Sequence, residues 1–242
     1  MSSREPTPLS KEEFLAELGE LADRRFQDKH PFMKLLHKGR LTKTHLRGWI
    51  LNRFYFQKSI PLKDAAIISN CPIPEIRKIW LGRLMGREGY GDQEGDIEGW
   101  LRLAEAAGLR RELVLNARCL PGVKYAVDAY LHFARSATWL QGVAASLTEL
   151  FAEDELSKRI EAFQRHYGWI PPEGFRFFMN RLPQARRDSE TALNIVLKHA
   201  TTEDEQRKAV KAFLFVTDVV WSMHDAIYVA YVVRKEPLAS SI

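Results

Sequence analysis

The chain has 242 residues, and its 36 lysines and arginines outnumber its 31 aspartates and glutamates to give a net charge of +5. Hydrophobic residues make up 45% of it and charged residues 28%, which is typical of a globular protein with a substantial core. The cations are spread along the chain and mixed with acids, without a nucleic-acid motif. This distribution disfavours nucleic-acid binding.

The cysteines, the first residues and the longest apolar run indicate the cellular compartment in which we expect the protein. Cys71 and Cys119 lie far apart, and neither has the neighbours of a metal site, so we expect free thiols in a reducing cytoplasm. Residues 1–13 are polar and do not resemble a signal peptide. The apolar run 212–233 contains two aspartates and a histidine, which predicts a buried helix and no membrane span.

Apolar residues recur at helical spacing, and no segment alternates convincingly at a period of two. Ser10 and Glu13 predict a capping box that opens the first helix. Thr42 is predicted to cap a second helix that closes before Pro61, where a third begins. Further helices are predicted from Pro74, over Ile97–Ala107 with Asp96 as cap, and over Arg111–Ala117, Gly122–Ala152, Glu153–His166, Gln184–His199 and Glu203–Val233, with a loop at Gly86–Gly95 and a turn at Gly168–Gly174.

These elements predict one all-α domain over residues 1–242, a bundle of about seven main helices. No internal repeat, low-complexity tract or linker divides the chain. We expect residues 1–9 and 236–242 to be flexible.

The most informative stretch runs from Arg53 to Ile67 and interleaves aromatic residues with cations and an amide. Arg53 and Gln57 are four residues apart and share a helix face. Such a face among aromatics can bind a flat anionic ring. The alternative is an amphipathic helix with a solvated polar edge.

Arg83 and Arg87 are also four residues apart, and their repulsion would be offset by a bound carboxylate or by the end of the helix. The alternative is two solvated arginines. Glu149 is flanked by apolar residues, so we expect it to be paired or to have a raised pKa. A purely structural pairing with a core arginine is the alternative for Glu149.

Several separate blocks resemble the pyrroloquinoline quinone synthase C family, in the same order and with almost no change of length. The resemblance runs from about His30 to Tyr231 and is carried by Trp49, Asn52, 53–66, His30-Pro31, 97–103, 126–130, 146–152, 221–223 and 225–226. It implies a haem-oxygenase-like bundle that encloses a ligand cavity. It also implies a homodimer and an oxidation that uses O2 without metal or flavin.

The resemblance also implies a site for a fused-ring acid with several carboxylates, which arginine forks grip bidentately. The implied catalytic residues are Arg83, Arg87, Glu149 and Arg181, and the implied substrate-binding residues are Arg53, Gln57, Lys63, Tyr130, Arg159 and Phe177.

Seven positions depart from the family. The family has a tyrosine at the positions of Phe26, Phe56 and Phe177. It has a histidine at the positions of Gln27, Arg87 and Leu156, and a lysine at the position of Val216. Each change removes a group that titrates or donates a proton, whereas proton transfer needs groups with a pKa near the working pH. The departures therefore predict that the family's proton relay is lost.

These observations favour a cofactorless, O2-dependent oxidoreductase that acts on a planar anionic aromatic acid, in a step other than the family's quinone-forming one. A genuine pyrroloquinoline quinone synthase and a non-catalytic carrier of an anionic aromatic ligand are the alternatives. No metal is predicted, because none of the seven histidines begins the His-x-x-x-Asp-x-x-His pattern of di-iron relatives. His224, beside Asp225, is interpreted as a hydrogen-bonded core histidine.

Overall fold

A computed structural model describes residues 8–238 and contains eleven α-helices in that range. They are α1 Lys11–Arg25, α2 Pro31–His37, α3 Lys43–Asn70, α4 Pro74–Glu88, α5 Asp96–Ala106, α6 Arg111–Asn116, α7 Pro121–Ser136, α8 Trp139–Ala145, α9 Ala152–His166, α10 Arg176–His199 and α11 Glu203–Ile227. Short 3-10 helices cover Gln27–Lys29, Ser146–Phe151 and Pro172–Phe175, a π-helical turn covers Tyr228–Val233, and Gly89–Tyr90 pairs with Gln93–Glu94 as a minimal hairpin. The predicted all-α class is confirmed, although seven helices is too low a count.

The first helix begins as its sequence predicts. The Ser10 hydroxyl accepts a hydrogen bond from the Glu13 amide at 3.2 Å, and the Glu13 carboxylate accepts one from the Ser10 amide at 2.8 Å. Of the two ends expected to be flexible, residues 1–7 and 239–242 lie outside the described range. Leu9 is held on α11, because its amide and carbonyl bond the side chain of Gln206 at 2.6 and 3.0 Å.

The predicted break at Pro61 is wrong, because α3 continues through it to Asn70. A proline leaves the carbonyl four residues earlier without its helical partner. Packing compensates, since Pro61 and its neighbours Ser59 and Ile60 are buried. The Ser59 hydroxyl also donates to the Tyr55 carbonyl at 2.7 Å. Tertiary contacts on several sides of α3 thus override the local signal, and they keep Arg53 and Lys63 on one helix.

Asp96 does not cap α5 as predicted, because the N-cap position is taken by Gly95. The hairpin folds back so tightly that a Cβ at Gly95 would lie 2.3 Å from the amide nitrogen of Gly89. Gly89 itself has a φ of +92°, a conformation that favours glycine. Asp96 therefore becomes the first helical residue, and its carboxylate is free to pair with Arg87.

Two further predicted boundaries are wrong. The segment Gly122–Ala152 is not one helix, because it divides into α7, α8 and the 3-10 helix Ser146–Phe151. The helix predicted from Gln184 begins eight residues earlier, at Arg176, and runs through Pro183. Residues Phe177 and Arg181 consequently lie on a regular helix beside the cavity.

Helix α11 with its π-helical turn, Glu203–Val233, is long and apolar enough by composition to cross a membrane. In the fold it packs against α1, α7 and α8. The buried apolar residues form two clusters: one centred on Trp49, Trp100 and Phe163, and another that includes Trp80 and Phe213. A cavity lies between the two clusters, since residues from both contribute to its wall.

Candidate functional site

The helices enclose a cavity of about 140 Å³ between the two hydrophobic clusters. Its wall contains aromatic, aliphatic and cationic side chains. They come from α3, α4, α5, α7, α9, α10 and α11, from the 3-10 helices Gln27–Lys29 and Ser146–Phe151, and from Phe26. The lining residues are Phe26, Gln27, Arg53, Phe56, Gln57, Ile60, Lys63, Arg87, Trp100, Tyr130, Ser146, Thr148, Glu149, Ala152, Glu155, Leu156, Arg159, Phe177, Arg181, Ala185, Val216, Thr217 and Val220.

Glu149 lies on the cavity wall and holds three arginines together. Its Oε1 accepts hydrogen bonds from Arg83 Nη2 at 2.7 Å and from Arg87 Nη2 at 2.9 Å, and its Oε2 accepts one from Arg181 Nη2 at 2.7 Å. Burial alone would raise the pKa of Glu149, but the three arginines hold it below its ordinary value. The prediction that Glu149 is paired is therefore confirmed, and the pKa is lowered.

Two aspartates complete this cluster. Arg87 Nη1 donates to Asp96 at 2.6 Å, and Arg181 Nη1 donates to Asp188 at 3.1 Å. The three guanidinium groups therefore face three carboxylates, so the cluster is close to neutral as a whole. The side chains of Arg83 and Arg87 are only 3% and 7% exposed, so the interpretation of them as solvated arginines is wrong.

Arg53 differs from the arginines of that cluster. It is buried on α3 and has no carboxylate partner among residues 8–238, and its Nε and Nη1 atoms lack any hydrogen-bond partner. Its guanidinium lies 5.1 Å from the ring centre of Phe56 and 5.9 Å from that of Trp100. Burial, reinforced by nearby Arg159, lowers the pKa of Arg53 to about 9. An unpartnered buried cation of this kind attracts an anion.

A second ion pair, separate from the Glu149 cluster, also lines the cavity. Arg159 Nη2 donates to Glu155 Oε1 at 2.5 Å, one helical turn earlier on α9. His37 Nε2 lies 3.6 Å from the same oxygen, and Gln27 Nε2 donates to the other oxygen at 3.5 Å. Burial alone would raise the pKa of Glu155, but Arg159 and His37 together outweigh burial and lower it. Glu155 therefore stays ionised.

Lys63 is 2% exposed and belongs to a third polar group. Its Nζ lies 2.5 Å from Asp64 Oδ1 and donates to Ser146 Oγ at 3.3 Å, while Trp80 Nε1 donates to the same Asp64 oxygen at 2.9 Å. Burial lowers the pKa of Lys63, and the charge of Asp64 opposes this. Burial also raises the pKa of Tyr130, so its phenol stays protonated.

Nine of the ten residues assigned by resemblance line the cavity, and Arg83 is the exception. It does not line the cavity, because it lies behind Glu149 with its guanidinium 4.7 Å from the ring centre of Trp80. Arg53, Gln57 and Lys63 are all buried, so the alternative of a solvated polar edge on α3 is wrong. All seven departures line the cavity: Phe26, Gln27, Phe56, Arg87, Leu156, Phe177 and Val216.

The sequence analysis did not single out four polar residues that line the cavity, namely Glu155, Ser146, Thr148 and Thr217. Glu155 lies on the amphipathic segment beside Leu156 and four residues before Arg159. That spacing places the acid and the arginine on one helix face and could have indicated an ion pair. Ser146 and Thr217 sit in apolar runs, where nothing local separates a cavity hydroxyl from one that bonds the backbone. Their position is decided by tertiary packing alone.

The interpretation of His224 as a core histidine is supported by its contacts. It is fully buried, its Nδ1 lies 2.9 Å from the Val220 carbonyl, and its Nε2 accepts a hydrogen bond from Trp49 Nε1 at 3.4 Å. Both ring nitrogens are thus engaged in the neutral form. Burial, and then the charge of Arg53, place the pKa of His224 well below its ordinary value. No group of three metal-ligating side chains occurs among residues 8–238.

The fold and the site together define a class: a helical bundle of the haem-oxygenase type with a buried cavity lined by cations and aromatics. Three solved structures share the fold. A protein from Shewanella denitrificans described as having a heme oxygenase-like fold superposes with a TM-score of 0.77 at 12% identity, covering 96% of both chains. A CADD-like protein from Nostoc punctiforme gives 0.72 at 12% identity, covering 95% of this chain and 99% of the other. A TenA homologue from Pseudomonas syringae gives 0.68 at 9% identity, covering 94% and 99%.

Sequence comparison places the chain more narrowly. The family model described as TENA/THI-4/PQQC matches residues 15–226, and the chain belongs to this family. It is 46% identical over 238 residues to the pyrroloquinoline-quinone synthase of Ectopseudomonas mendocina, covering 98% of this chain and 94% of the relative. It is 47% identical over 209 residues to that of Pseudomonas aeruginosa, covering 86% and 84%.

Proposed function

We propose that this protein acts as a pyrroloquinoline-quinone synthase, which oxidises a fused-ring acid with O2. Relatives that bear this name match the chain at 46–47% identity over most of its length. They favour this function over the sequence-based hypothesis of a different aromatic substrate. We also propose that the reaction needs no metal or flavin, and that the protein is a cytoplasmic homodimer that binds neither nucleic acid nor membrane.

The observation that carries the proposal is the unpartnered guanidinium of Arg53 on the wall of an aromatic-lined cavity. A ligand carboxylate that paired with it would restore the hydrogen bonds and the neutralisation that Arg53 lacks. The rings of Phe56, Trp100 and Phe177 would then flank the ligand plane. The charge-compensated cluster around Glu149 forms another part of the cavity wall.

A second candidate function is the binding or oxidation of another planar aromatic acid without the family's proton relay. It is favoured by one observation: all seven departures line the same cavity. Arg87 is held by Glu149 and Asp96, which raise its pKa despite the opposing effect of burial. It cannot exchange protons as a histidine would.

Single-turnover absorbance spectroscopy separates the two candidates. Purified protein in excess would be mixed under air with the precursor that pyrroloquinoline-quinone synthases oxidise. Conversion to the quinone at rates typical of enzymes supports synthase activity. If the precursor or the finished quinone binds in calorimetry without conversion, the synthase proposal falls, and O2 consumption with simpler aromatic acids then tests the second candidate.

A further inference from the structure

Three serine and threonine hydroxyl groups line the cavity, and they differ in what they do with their protons. Thr217 Oγ1 donates to the carbonyls of Phe213 and Leu214 at 2.9 and 2.8 Å, and Thr148 Oγ1 donates to the carbonyl of Ala145 at 3.4 Å. Ser146 Oγ instead accepts a hydrogen bond from Lys63 Nζ. Its hydroxyl makes no other hydrogen bond among residues 8–238, so its own proton is free.

Lys63 orients that proton. An ammonium group only donates hydrogen bonds, so the Lys63 contact at 3.3 Å occupies one lone pair of the Ser146 oxygen. The hydroxyl hydrogen must then point elsewhere. Asp64 fixes the ammonium from the other side at 2.5 Å. Ser146 is 2% exposed and forms part of the cavity wall, so the open direction for its hydrogen is the cavity.

We propose that Ser146, supported by Lys63, donates a hydrogen bond and a proton to a basic oxygen of the aromatic ligand in the cavity. In the transfer, the Ser146 O–H bond breaks as the ligand O–H bond forms. The serine oxygen takes a proton from the Lys63 ammonium, which is left as a neutral amine beside Asp64 and regains its proton from solvent. No oxidant takes part.

The pair supplies what the seven departures remove. Leu156, Phe177 and Val216 line the cavity without a group that can give up a proton. The carboxylates of Glu149 and Glu155 are committed to arginines. Ser146, supported by Lys63 in its ion pair with Asp64, is therefore a proton donor on the cavity wall, and its own hydrogen is not engaged by another residue in the range 8–238. The inference rests on the proposed binding of an aromatic acid but not on which reaction follows.

The probe for the test is 4-hydroxy-3-nitrobenzoate, a planar aromatic acid whose phenolate is coloured. A hydrogen bond from Ser146 stabilises the bound phenolate. In Ser146→Ala we therefore expect the proton affinity of the bound phenolate to rise about tenfold, the equivalent of one hydrogen bond to a charged group. Absorbance titration of the protein–probe complex measures this shift.

Two controls make the result decisive. Ser189→Ala removes another buried serine hydroxyl, which donates to the Arg186 carbonyl at 2.9 Å and does not line the cavity, and it should leave the titration unchanged. 3-Nitrobenzoate lacks the phenolic oxygen and should bind wild type and Ser146→Ala equally.

Two results would overturn the inference. One is an unchanged phenolate titration in Ser146→Ala. The other is a loss of 3-nitrobenzoate binding in that variant, which would mean that Ser146 shapes the cavity or holds the carboxylate. If wild type fails to oxidise the synthase precursor, the proposed function falls while this titration still decides the role of Ser146.

Discussion

The Nη2 atom of Arg87 lies 2.9 Å from Oε1 of Glu149, on a carboxylate that two other arginines also contact. The resemblance places a histidine at this position, so a permanent charge replaces a group that could titrate near neutral pH. Because Asp96 holds the other side of the same guanidinium at 2.6 Å, Arg87 is part of a fixed ion cluster. Arg87 thus has a structural role in this cluster.

Replacing Arg53 should separate ligand binding from stability. Arg53→Met removes a buried cation that has no carboxylate partner among residues 8–238. The free energy of unfolding in urea is therefore expected to stay the same or to rise. Binding of an anionic aromatic ligand should weaken by about 2–5 kcal/mol in calorimetry, because the ligand carboxylate loses its buried partner. Arg165→Met, on an exposed ion pair with Glu161, is the matched control. Unchanged affinity in Arg53→Met would exclude Arg53 as the anion anchor.

Glu149→Gln should destabilise the fold. Three buried guanidinium groups lose the carboxylate they share, and breaking a buried ion cluster on one side typically costs about 3–5 kcal/mol. The arginines lower the pKa of Glu149 in the folded state. The ionised carboxylate therefore contributes to the free energy of unfolding at pH values above its unfolded pKa, about 4.5, and this contribution is lost as the pH falls below that value. Urea unfolding at several pH values measures both effects. Glu190→Gln, whose partner Arg186 is exposed, should change little, and equal stabilities of the two variants would contradict this account.

Restoring the lost groups should accelerate quinone formation. The combined variant R87H/L156H/F177Y/V216K returns titratable side chains to four cavity positions. General acid–base groups typically contribute 10²–10⁴ in rate, so we expect the single-turnover rate with the synthase precursor to rise at least about 100-fold. Arg87→His alone should destabilise the protein, since Glu149 and Asp96 lose a partner. A combined variant that folds, binds the precursor and is no faster than wild type would show that these four departures do not limit the reaction.

Stability should fall in mild acid through His224. Its folded pKa lies well below the ordinary value of 6.5, so the unfolded chain takes up a proton first. As pH drops below about 6.5, the free energy of unfolding should decrease by up to about 1.4 kcal/mol per pH unit from this group. His224→Gln should flatten that dependence, whereas His132→Gln, at an exposed histidine, should preserve it. A wild-type profile that is flat between pH 6.5 and 5 would rule out a neutral buried His224.

Metal analysis of untagged protein should find well under one iron or zinc ion per chain. The reason is the scattered placement of the metal-ligating residues, since no three of them come together among residues 8–238. Treatment with a chelator should leave ligand binding and any O2-dependent activity unchanged. Stoichiometric iron whose removal abolishes activity would refute the proposal of metal-free chemistry.

The sequence by itself determined the class of fold, because helical periodicity is a local property that survives without knowledge of neighbours. The capping box at Ser10 and the helix start at Pro74 were equally local and are confirmed. The resemblance, carried by blocks spread along the chain, assigned ten site residues, of which nine line the cavity.

Only the tertiary structure decided how those residues are used. Pro61 remains helical because contacts from outside α3 hold it, and Asp96 leaves the cap position because the hairpin leaves room there only for Gly95. Arg53 and Arg87 look equivalent in sequence, yet Arg53 lacks a carboxylate partner within residues 8–238, whereas Arg87 donates hydrogen bonds to Asp96 and Glu149. The two carboxylates that pair with Arg87 come from α5 and from the 3-10 helix Ser146–Phe151. Whether an arginine is paired therefore depends on distances between segments, which local propensity does not encode.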